Sequence, residues 1–349
     1  MLNAFYKRYV LHFKSPSGTS RGVLRTKETW FIILEENGKL GIGETGLFRG
    51  LSYDDTPNYE EKLQWVCENI HLGLDTLLNE TIDFPSIQFG LEQAFLSFQN
   101  ENPFTFFPSE FSKGKDEISI NGLIWMGTAD FMKKQIAEKL EAGFDCIKMK
   151  IGAIDFDAEL QLLKSIRDEF GKDEIELRVD ANGAFHPDNA LEKLKRLSDF
   201  DLHSIEQPIK QGQHEAMARL CDETPLPIAL DEELIGVVSS TGKAKVIRDI
   251  QPQYIILKPS LIGGFAGSQE WINLAEQNNC GWWITSALES NIGLNAIAQF
   301  TYLKNSNLPQ GLGTGSLFTN NLDSPLSVSL GKLSLANDKK WNFNLILNT

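Results

Sequence analysis

The sequence predicts an α/β protein in which eight parallel strands close into a barrel, preceded by a smaller α+β domain. From residue 117 onward, short apolar runs alternate with helical periods, which is typical of right-handed βαβ units. These runs number eight, and eight parallel strands close naturally into a barrel. A doubly wound open sheet is the alternative, but no G-x-G-x-x-G segment follows a strand in this region.

The predicted barrel strands are, in order, EISINGLIW, CIKMKI, IELRVD, LHSIEQP, LPIALDE, YIILKPS, GWWITS and QGLGTG. Helices are expected between them, around 129–142, 155–170, 188–198, 213–222, 240–249, 264–278 and 291–303.

The N-terminal part has a different pattern. Alternating apolar residues in 5–13 indicate a half-exposed strand, and the polar segment SPSGTSRG (15–22) is expected to be a flexible loop. Asn37-Gly38 between two apolar segments predicts a hairpin, and residues 57–100 look mostly helical. We therefore expect a capping domain over 1–105, completed by about 319–349, and a barrel domain over 106–318.

Composition excludes several classes of function. The 349 residues include 33 Lys and Arg against 47 Asp and Glu, a formal charge of −14, which disfavours nucleic acid and anionic membranes as partners. The N-terminus does not read as a signal peptide, and no apolar run approaches the length of a membrane span, so a cytoplasmic protein is expected. The four cysteines lie far apart without C-x-x-C spacing, which disfavours a zinc site.

Charged residues end five consecutive predicted strands. Because the carboxyl ends of barrel strands meet at one rim, these side chains are expected to converge there. They recur at intervals of about 25 to 30 residues, roughly one βα unit each. They are Lys150, Asp180, Glu206, Asp231 and Lys258.

Three converging carboxylates repel one another, and a hard divalent cation relieves that repulsion. The sequence therefore predicts a Mg²⁺ site at Asp180, Glu206 and Asp231, with lysines on both sides. Lys150, near the mouth, is expected to be a general base with a lowered pKa. Lys148, one layer deeper on the same strand face, would neutralise the carboxylates. A barrel that binds a carboxylate ligand without turning it over is the alternative from a different functional class.

The motifs KMK, DANG, EQP, DE and LKP, taken together, resemble those of the enolase superfamily. The K-x-K of the second barrel strand and the single lysine of the sixth are similar to the muconate-lactonizing subgroup. The mandelate-racemase subgroup would need a histidine near the seventh strand, and the last histidine here is His214. The resemblance covers nearly the whole chain. It implies a modified (β/α)₇β TIM barrel with an N-terminal α+β capping domain, a small-molecule carboxylate substrate, Mg²⁺ with Mn²⁺ as a substitute, and α-proton abstraction. It leaves the oligomeric state open.

Within the subgroup, the segment ITSALESNIG (284–293) resembles the o-succinylbenzoate synthase family. That resemblance implies a syn dehydration of 2-succinyl-6-hydroxy-2,4-cyclohexadiene-1-carboxylate, a step toward menaquinone, with Lys258 stabilising the planar anion. The loop 17–24 would be a mobile lid. The implied substrate contacts are Arg21, Ser286, Gly313 and Thr314, and the implied outer shell of the metal is Asn182, Glu232 and Glu289.

Other members of the subgroup stay open as alternatives. They are N-succinylamino acid racemase, dipeptide epimerase and muconate cycloisomerase, which share the catalytic core. Dipeptide epimerases carry an Asp-x-Asp pair at the eighth strand, whereas this chain reads GLGTGSLF (311–318) there, without an acid. Two further features have structural alternatives: Arg178 is expected to be a structural charge inside the barrel, and LIGGFAG (261–267) is either a phosphate-binding helix start or a tight turn.

Overall fold

The structure, a computed structural model, describes residues 2–19 and 22–342 and has the predicted combination of a parallel barrel sheet with a small antiparallel sheet. Its strands are β1 (Asn3–Thr19), β2 (Gly22–Glu36), β3 (Lys39–Gly46), β4 (Ile118–Ser119), β5 (Gly122–Ile124), β6 (Cys146–Lys150), β7 (Glu176–Asp180), β8 (Ser204–Glu206), β9 (Ile228–Leu230), β10 (Tyr254–Leu257), β11 (Gly281–Ile284), β12 (Leu326–Ser329) and β13 (Lys332–Leu335).

The helices fall where the apolar periodicity predicts them. They are α1 (Tyr59–Glu68), α2 (Leu74–Glu80), α3 (Pro85–Gln99), α4 (Ala129–Glu141), α5 (Phe156–Arg167), α6 (Pro187–Ser198), α7 (His214–Glu223), α8 (Ser240–Ile250), α9 (Gly264–Gln277) and α10 (Asn291–Leu303). No helix within the described residues is both long enough and apolar enough to span a bilayer.

The N-terminal sheet is antiparallel in the order β1-β2-β3, and α3 packs closely against β3. Asn37 and Gly38 both have positive φ, as the predicted hairpin turn requires. Glycine sets the close approach of α3, because a Cβ on Gly43 would lie 1.9 Å from the carbonyl oxygen of Gly90. The sheet therefore forms one layer and the helices a second, with an apolar core between them.

The prediction of a loop over 15–22 is wrong for the described residues. β1 continues to Thr19 and β2 resumes at Gly22, with Ser17, Gly18 and Thr19 paired to Leu24, Val23 and Gly22. The register shifts between His12 and Ser17, so an irregularity absorbs the polar, proline-containing segment without ending the strand. Arg21 lies outside the described residues.

The parallel sheet runs in chain order from β5 to β11. The eighth predicted strand is present only as two bridges: Gln310 pairs with Ile120, and Gly311 pairs with Thr285. These bridges join the segment just before β5 to the segment just after β11 and so close the barrel. The predicted first strand, EISINGLIW, is wrong as one element, because β4 pairs with β13 whereas β5 pairs with β6.

The register of the central strands brings the predicted charges side by side. Lys150 pairs with Asp180 across β6 and β7, and Asp180 pairs with Glu206 across β7 and β8. The alternate residues Ile147, Met149 and Ile151 join the apolar core between the strands and the helices.

Arg178, two residues before Asp180, is 1% exposed inside the barrel. It donates hydrogen bonds to Glu176 and to the carbonyl of Pro309 and lies 4.3 Å from the ring centre of Trp283. The predicted position inside the barrel is confirmed, and the structural role of Arg178 stays a prediction. The C-terminal hairpin of β12 and β13 pairs with β4, and Asn320 bonds to β1 through Tyr9 and Val10. The domain boundaries given above stay a prediction.

Candidate active site

A cavity of about 250 Å³ opens at the carboxyl ends of the barrel strands. Its charged lining includes Lys148, Lys150, Asp180 and Lys258, together with the amide of Asn182; Glu138 and Lys139 of α4 also border it. Lys150, Asp180 and Glu206 are the last residues of their strands, and Asp231 and Lys258 directly follow theirs. The parallel sheet thus delivers all five predicted charges to one rim.

These charges form a continuous row of alternating sign. Lys150 Nζ lies 2.8 Å from Asp180 Oδ2, and Lys148 Nζ lies 3.2 Å from the same oxygen. Lys148 also donates to Glu206 Oε2. Lys258 donates to Asp231 and lies 3.8 Å from Glu206 Oε1. The two lysines of the K-x-K motif therefore share the carboxylate of Asp180, and this pairing compensates for the burial of both ammonium groups.

The electrostatics of the row follow from burial and from these neighbours. Burial disfavours the ammonium form of Lys148, but Asp180 and Glu206 outweigh it and raise the pKa of Lys148. Burial also opposes the carboxylate of Asp180, yet Lys148 and Lys150 outweigh it and lower the pKa of Asp180. Burial and the charge of Asp180 raise the pKa of Glu206 to about 7. The surroundings thus favour the carboxylate form of Asp180 and disfavour that of Glu206.

The side chains fit a hard divalent cation by their chemistry, since three carboxylates from adjacent strands supply the oxygen ligands that Mg²⁺ prefers. Glu206 Oε1 is buried and has no hydrogen-bond partner among the described residues. No set of three or more His, Cys, Asp or Glu side chains in 2–19 and 22–342 is grouped so as to hold a metal as it stands. The ammonium groups of Lys148 and Lys258 lie between the carboxylates. The ligand roles stay a prediction.

Asn182 and Glu232, two residues implied for the outer shell of the metal, lie beside the row of charges. Asn182 Oδ1 accepts a hydrogen bond from Lys150 at 2.6 Å, and its Nδ2 donates to Glu232 Oε1 at 3.1 Å. Asn182 has a φ of 43°, a left-handed conformation that asparagine tolerates better than most residues. The turn of the DANG motif therefore orients Lys150.

Gln207 is a supporting residue that the sequence analysis did not select. It is fully buried with a φ of 38°, and its Oε1 accepts from the backbone N–H of Asp231 at 3.2 Å. Its Nε2 donates to Glu233 Oε2 at 3.1 Å. The side chain thus ties the end of β8 to the end of β9. Its place in the EQP motif was the available signal.

The predicted substrate contacts from the seventh and eighth strands also line the cavity. The hydroxyls of Ser286 and Thr314 lie 2.6 Å apart, and Gly313 borders the same space. Glu289 instead accepts hydrogen bonds from Ser260 Oγ at 2.5 Å and from the N–H of Ala287 at 2.8 Å. The structure therefore places Glu289 as a link between the segments that follow β10 and β11.

Two buried carboxylates from the N-terminal half cross to the barrel, and the sequence analysis missed both. Glu92 on α3 accepts from the N–H groups of Phe265 and Ala266, the latter at 2.9 Å, at the start of α9. LIGGFAG is therefore a tight turn with an internal carboxylate at its helix start, and a Cβ on Gly264 would lie 2.1 Å from Glu92 Oε2. Glu44 on β3 similarly caps α10, accepting from the N–H groups of Ser290 and Gly293, each at 2.8 Å.

Comparison with known proteins agrees with this geometry. Residues 132–337 match the family model described as enolase C-terminal domain-like. The chain is 47% identical to o-succinylbenzoate synthase of Desulfotalea psychrophila, over 95% of this chain and 98% of that protein. The chain belongs to the o-succinylbenzoate synthase family of the enolase superfamily.

One solved structure supports the same assignment, and a second shows the same fold. The crystal structure of MenC from Desulfotalea psychrophila matches with a TM-score of 0.85 and 44% identity, over 95% of this chain and 99% of that one. A dipeptide epimerase from Enterococcus faecalis, complexed with Mg and a dipeptide, matches with a TM-score of 0.81 over 96% of each chain. At 18% identity, that second likeness shows the shared fold alone.

Proposed function

We propose that the protein is an o-succinylbenzoate synthase, a hydro-lyase that converts 2-succinyl-6-hydroxy-2,4-cyclohexadiene-1-carboxylate to 2-succinylbenzoate in menaquinone biosynthesis. The observation that carries the proposal is the 47% identity over nearly the full length of both chains. The intact row of charges from Lys150 to Asp231 supports it, because every group that the reaction needs is present at one rim.

Lys150 is the proton acceptor in this proposal. It lines the cavity, and Asn182 and Asp180 orient its Nζ at 2.6 and 2.8 Å. It takes the proton α to the substrate carboxylate and returns it to the departing hydroxyl, which leaves as water. Lys258, between Glu206 and Asp231, holds a positive charge beside the planar anion. Lys148 neutralises the carboxylates between them.

Asp180, Glu206 and Asp231 are the proposed ligands of Mg²⁺, with Mn²⁺ as a substitute. When bound, the cation withdraws charge from the substrate carboxylate and so acidifies the adjacent C–H bond. Asn182, Glu232 and Gln207 keep the ends of β7, β8 and β9 in register with one another. Ser286, Gly313 and Thr314 are the proposed contacts of the substrate, with Arg21 as a fourth.

Racemisation or epimerisation of an N-acylated amino acid is the second candidate. It is favoured by one observation: Asp180, Lys148 and Glu206 separate Lys150 from Lys258 along the row, and a mechanism with one base on each face requires two separate lysines. The absence of an acid in residues 311–318 disfavours a dipeptide substrate.

The test is turnover of the cyclohexadiene substrate, followed by loss of its ultraviolet absorbance with Mg²⁺ and then with EDTA. Conversion that EDTA abolishes and Mg²⁺ restores supports the proposal. Folded, Mg²⁺-supplied protein without conversion would contradict it. Deuterium exchange at the α-carbon of N-succinyl amino acids in D₂O would then test the second candidate.

A further inference from the structure

The cavity has a charged floor and an apolar wall. The wall side chains come from five distant parts of the chain and pack into one cluster with the buried residues Leu11 and Phe318. They are Leu24, Phe48, Trp125, Leu288 and Leu317. Leu288, in the segment after β11, is 7% exposed and is the wall residue closest in sequence to Ser286 and Glu289.

Leu288 has an unusual backbone conformation. Its φ is 60°, in the left-handed region where a leucine is strained because its Cβ crowds the following carbonyl oxygen. Residues in such conformations persist only where their surroundings enforce them, and they concentrate at functional sites. A glycine or an asparagine would satisfy this turn with less strain, so the leucine side chain needs a separate explanation.

The neighbours of Leu288 supply that enforcement on both sides. Glu289 accepts from the N–H of Ala287 at 2.8 Å and from Ser260 Oγ at 2.5 Å. Ser290 donates its N–H to Glu44 Oε1 at 2.8 Å, and Glu44 is held in turn by Thr29 Oγ1 at 2.9 Å. Residues 287, 289 and 290 are thus hydrogen-bonded to one another, to the barrel and to β3, and these bonds hold the backbone on both sides of Leu288.

The side chain of Leu288 lies in the apolar wall. It belongs to the cluster that joins β1 to the segment after residue 316, and it lines the same cavity as the charged row. A substrate whose carboxylate lies at the floor would place its hydrophobic part against this wall.

We propose that Leu288 is a specificity-determining residue whose strained backbone presses its side chain against the carbocyclic ring of the substrate. The inference rests on the proposed function for the identity of that ring. Glu44 and Glu289, whose hydrogen bonds hold the backbone on either side of Leu288, are positioning residues, because they act through Leu288 and not through contact with the substrate.

The experiment compares Leu288→Ala with Leu288→Gly and with a matched control, Leu202→Ala. Ala removes the side chain but keeps the strain, whereas Gly removes both. Leu202 is 8% exposed, like Leu288, and lies just before β8 at the other end of the barrel. For each protein with Mg²⁺, the Kd of 2-succinylbenzoate and of ring-free N-succinylglycine is measured by calorimetry, with KM, kcat and Tm alongside.

Both Leu288 variants should bind 2-succinylbenzoate about tenfold more weakly and show a KM raised by a similar factor. Their Kd for N-succinylglycine should change less than twofold. Leu288→Gly should have a Tm about 1–2 °C above that of Leu288→Ala, because the strain is gone. Leu202→Ala should lose stability with unchanged Kd values.

Equal weakening of both ligands, or of neither, would overturn the specificity role, and a Gly variant less stable than the Ala variant would overturn the strain. Binding separates this inference from the proposed function. If the unmodified protein binds 2-succinylbenzoate but does not dehydrate the cyclohexadiene, the function is wrong and the Kd comparison still decides the role of Leu288. If it binds neither ring compound, both are wrong.

Discussion

Lys150 and Lys258 are separated along a single row of buried charges by Asp180, Lys148 and Glu206, and Asp231 ends the row beyond Lys258. Each of the two ammonium groups contacts a different carboxylate, Asp180 for Lys150 and Asp231 for Lys258. The two lysines therefore have related surroundings at different positions along the row. In a dehydration, only one of them has to move a proton.

Arginine substitutions distinguish the base from the fixed charge. Arginine keeps the positive charge but does not lose a proton at any working pH. Lys150→Arg should therefore lower kcat by about 10³-fold or more, since a general base contributes typically 10²–10⁴-fold. Lys258→Arg should lose about tenfold, and Lys258→Ala considerably more. Steady-state kinetics of the cyclohexadiene dehydration measure all three.

A large loss in Lys258→Arg, equal to that in Lys150→Arg, would contradict this division of roles and would favour proton transfer on both faces. Circular dichroism and Tm serve as controls for folding. The comparison requires that each arginine variant keeps the other charges of the row in place. An unchanged Mg²⁺ concentration for half-maximal turnover in the variant is the control for this.

Metal dependence should separate Glu206 from Glu289, although both are buried acids near the mouth. Glu206→Gln should raise the Mg²⁺ concentration for half-maximal turnover by about 100-fold, because it removes one of three proposed ligands. Glu289→Gln should raise it less than tenfold, since Glu289 bonds to Ser260 and Ala287. Titration of the EDTA-treated proteins with Mg²⁺ gives both values. Equal shifts would mean that Glu206 is not a ligand.

The sequence located the charges because strand ends repeat at the spacing of a βα unit, and that spacing needs no knowledge of tertiary contacts. The helices were predictable because their apolar residues recur with a helical period, which also needs no knowledge of tertiary contacts. The carboxylates of Glu92 and Glu44 were not, because their partners lie 173 and 246 residues away along the chain. Neither position differs in local pattern from an ordinary surface acid.

The errors have similar physical causes. The segment 15–22 was predicted to be a loop from its polarity, whereas pairing with the next strand keeps Ser17–Thr19 extended. EISINGLIW has continuous strand propensity, but its two halves pair with different sheets. The left-handed backbone of Leu288 could not be predicted, because leucine carries no local signal for it.

Stability should depend on pH through Glu92, which joins α3 to the start of α9. Burial raises its pKa from 4.5 to about 7, although the helix N–H groups of Ala266 and Phe265 oppose the rise. The folded state therefore binds its proton more tightly than the unfolded state does. The contribution of this proton to stability is complete below about pH 4.5 and is lost as the pH rises toward 7, by about 3 kcal/mol in total.

Glu92→Gln should remove that part of the pH dependence. The free energy of unfolding is measured by urea denaturation at pH 5 and pH 8 for both proteins. The drop between the two values should be smaller in Glu92→Gln by about 2–3 kcal/mol, whatever the variant loses at pH 5. Glu159 is another buried acid whose pKa burial raises from 4.5 to about 7, so Glu159→Gln should reduce the drop by a similar amount. Parallel pH profiles for unmodified protein and Glu92→Gln would contradict the prediction.

Arg178 should matter for stability and not for catalysis. Its guanidinium is 1% exposed, bonds to Glu176 and to the carbonyl of Pro309, and stacks on Trp283. Removing one partner of a buried pair leaves the other unpaired, at a cost of about 3–5 kcal/mol. Because the side chain of Glu176 is 29% exposed and water reaches it, we expect Arg178→Met to lower the free energy of unfolding by about 2–3 kcal/mol.

KM and kcat of Arg178→Met should stay within twofold, because Arg178 lies one layer below Asp180 and does not line the cavity. Urea denaturation and steady-state kinetics on the same preparation of Arg178→Met test both expectations. A lowered kcat at unchanged stability would assign Arg178 to the electrostatics of the charge row above it.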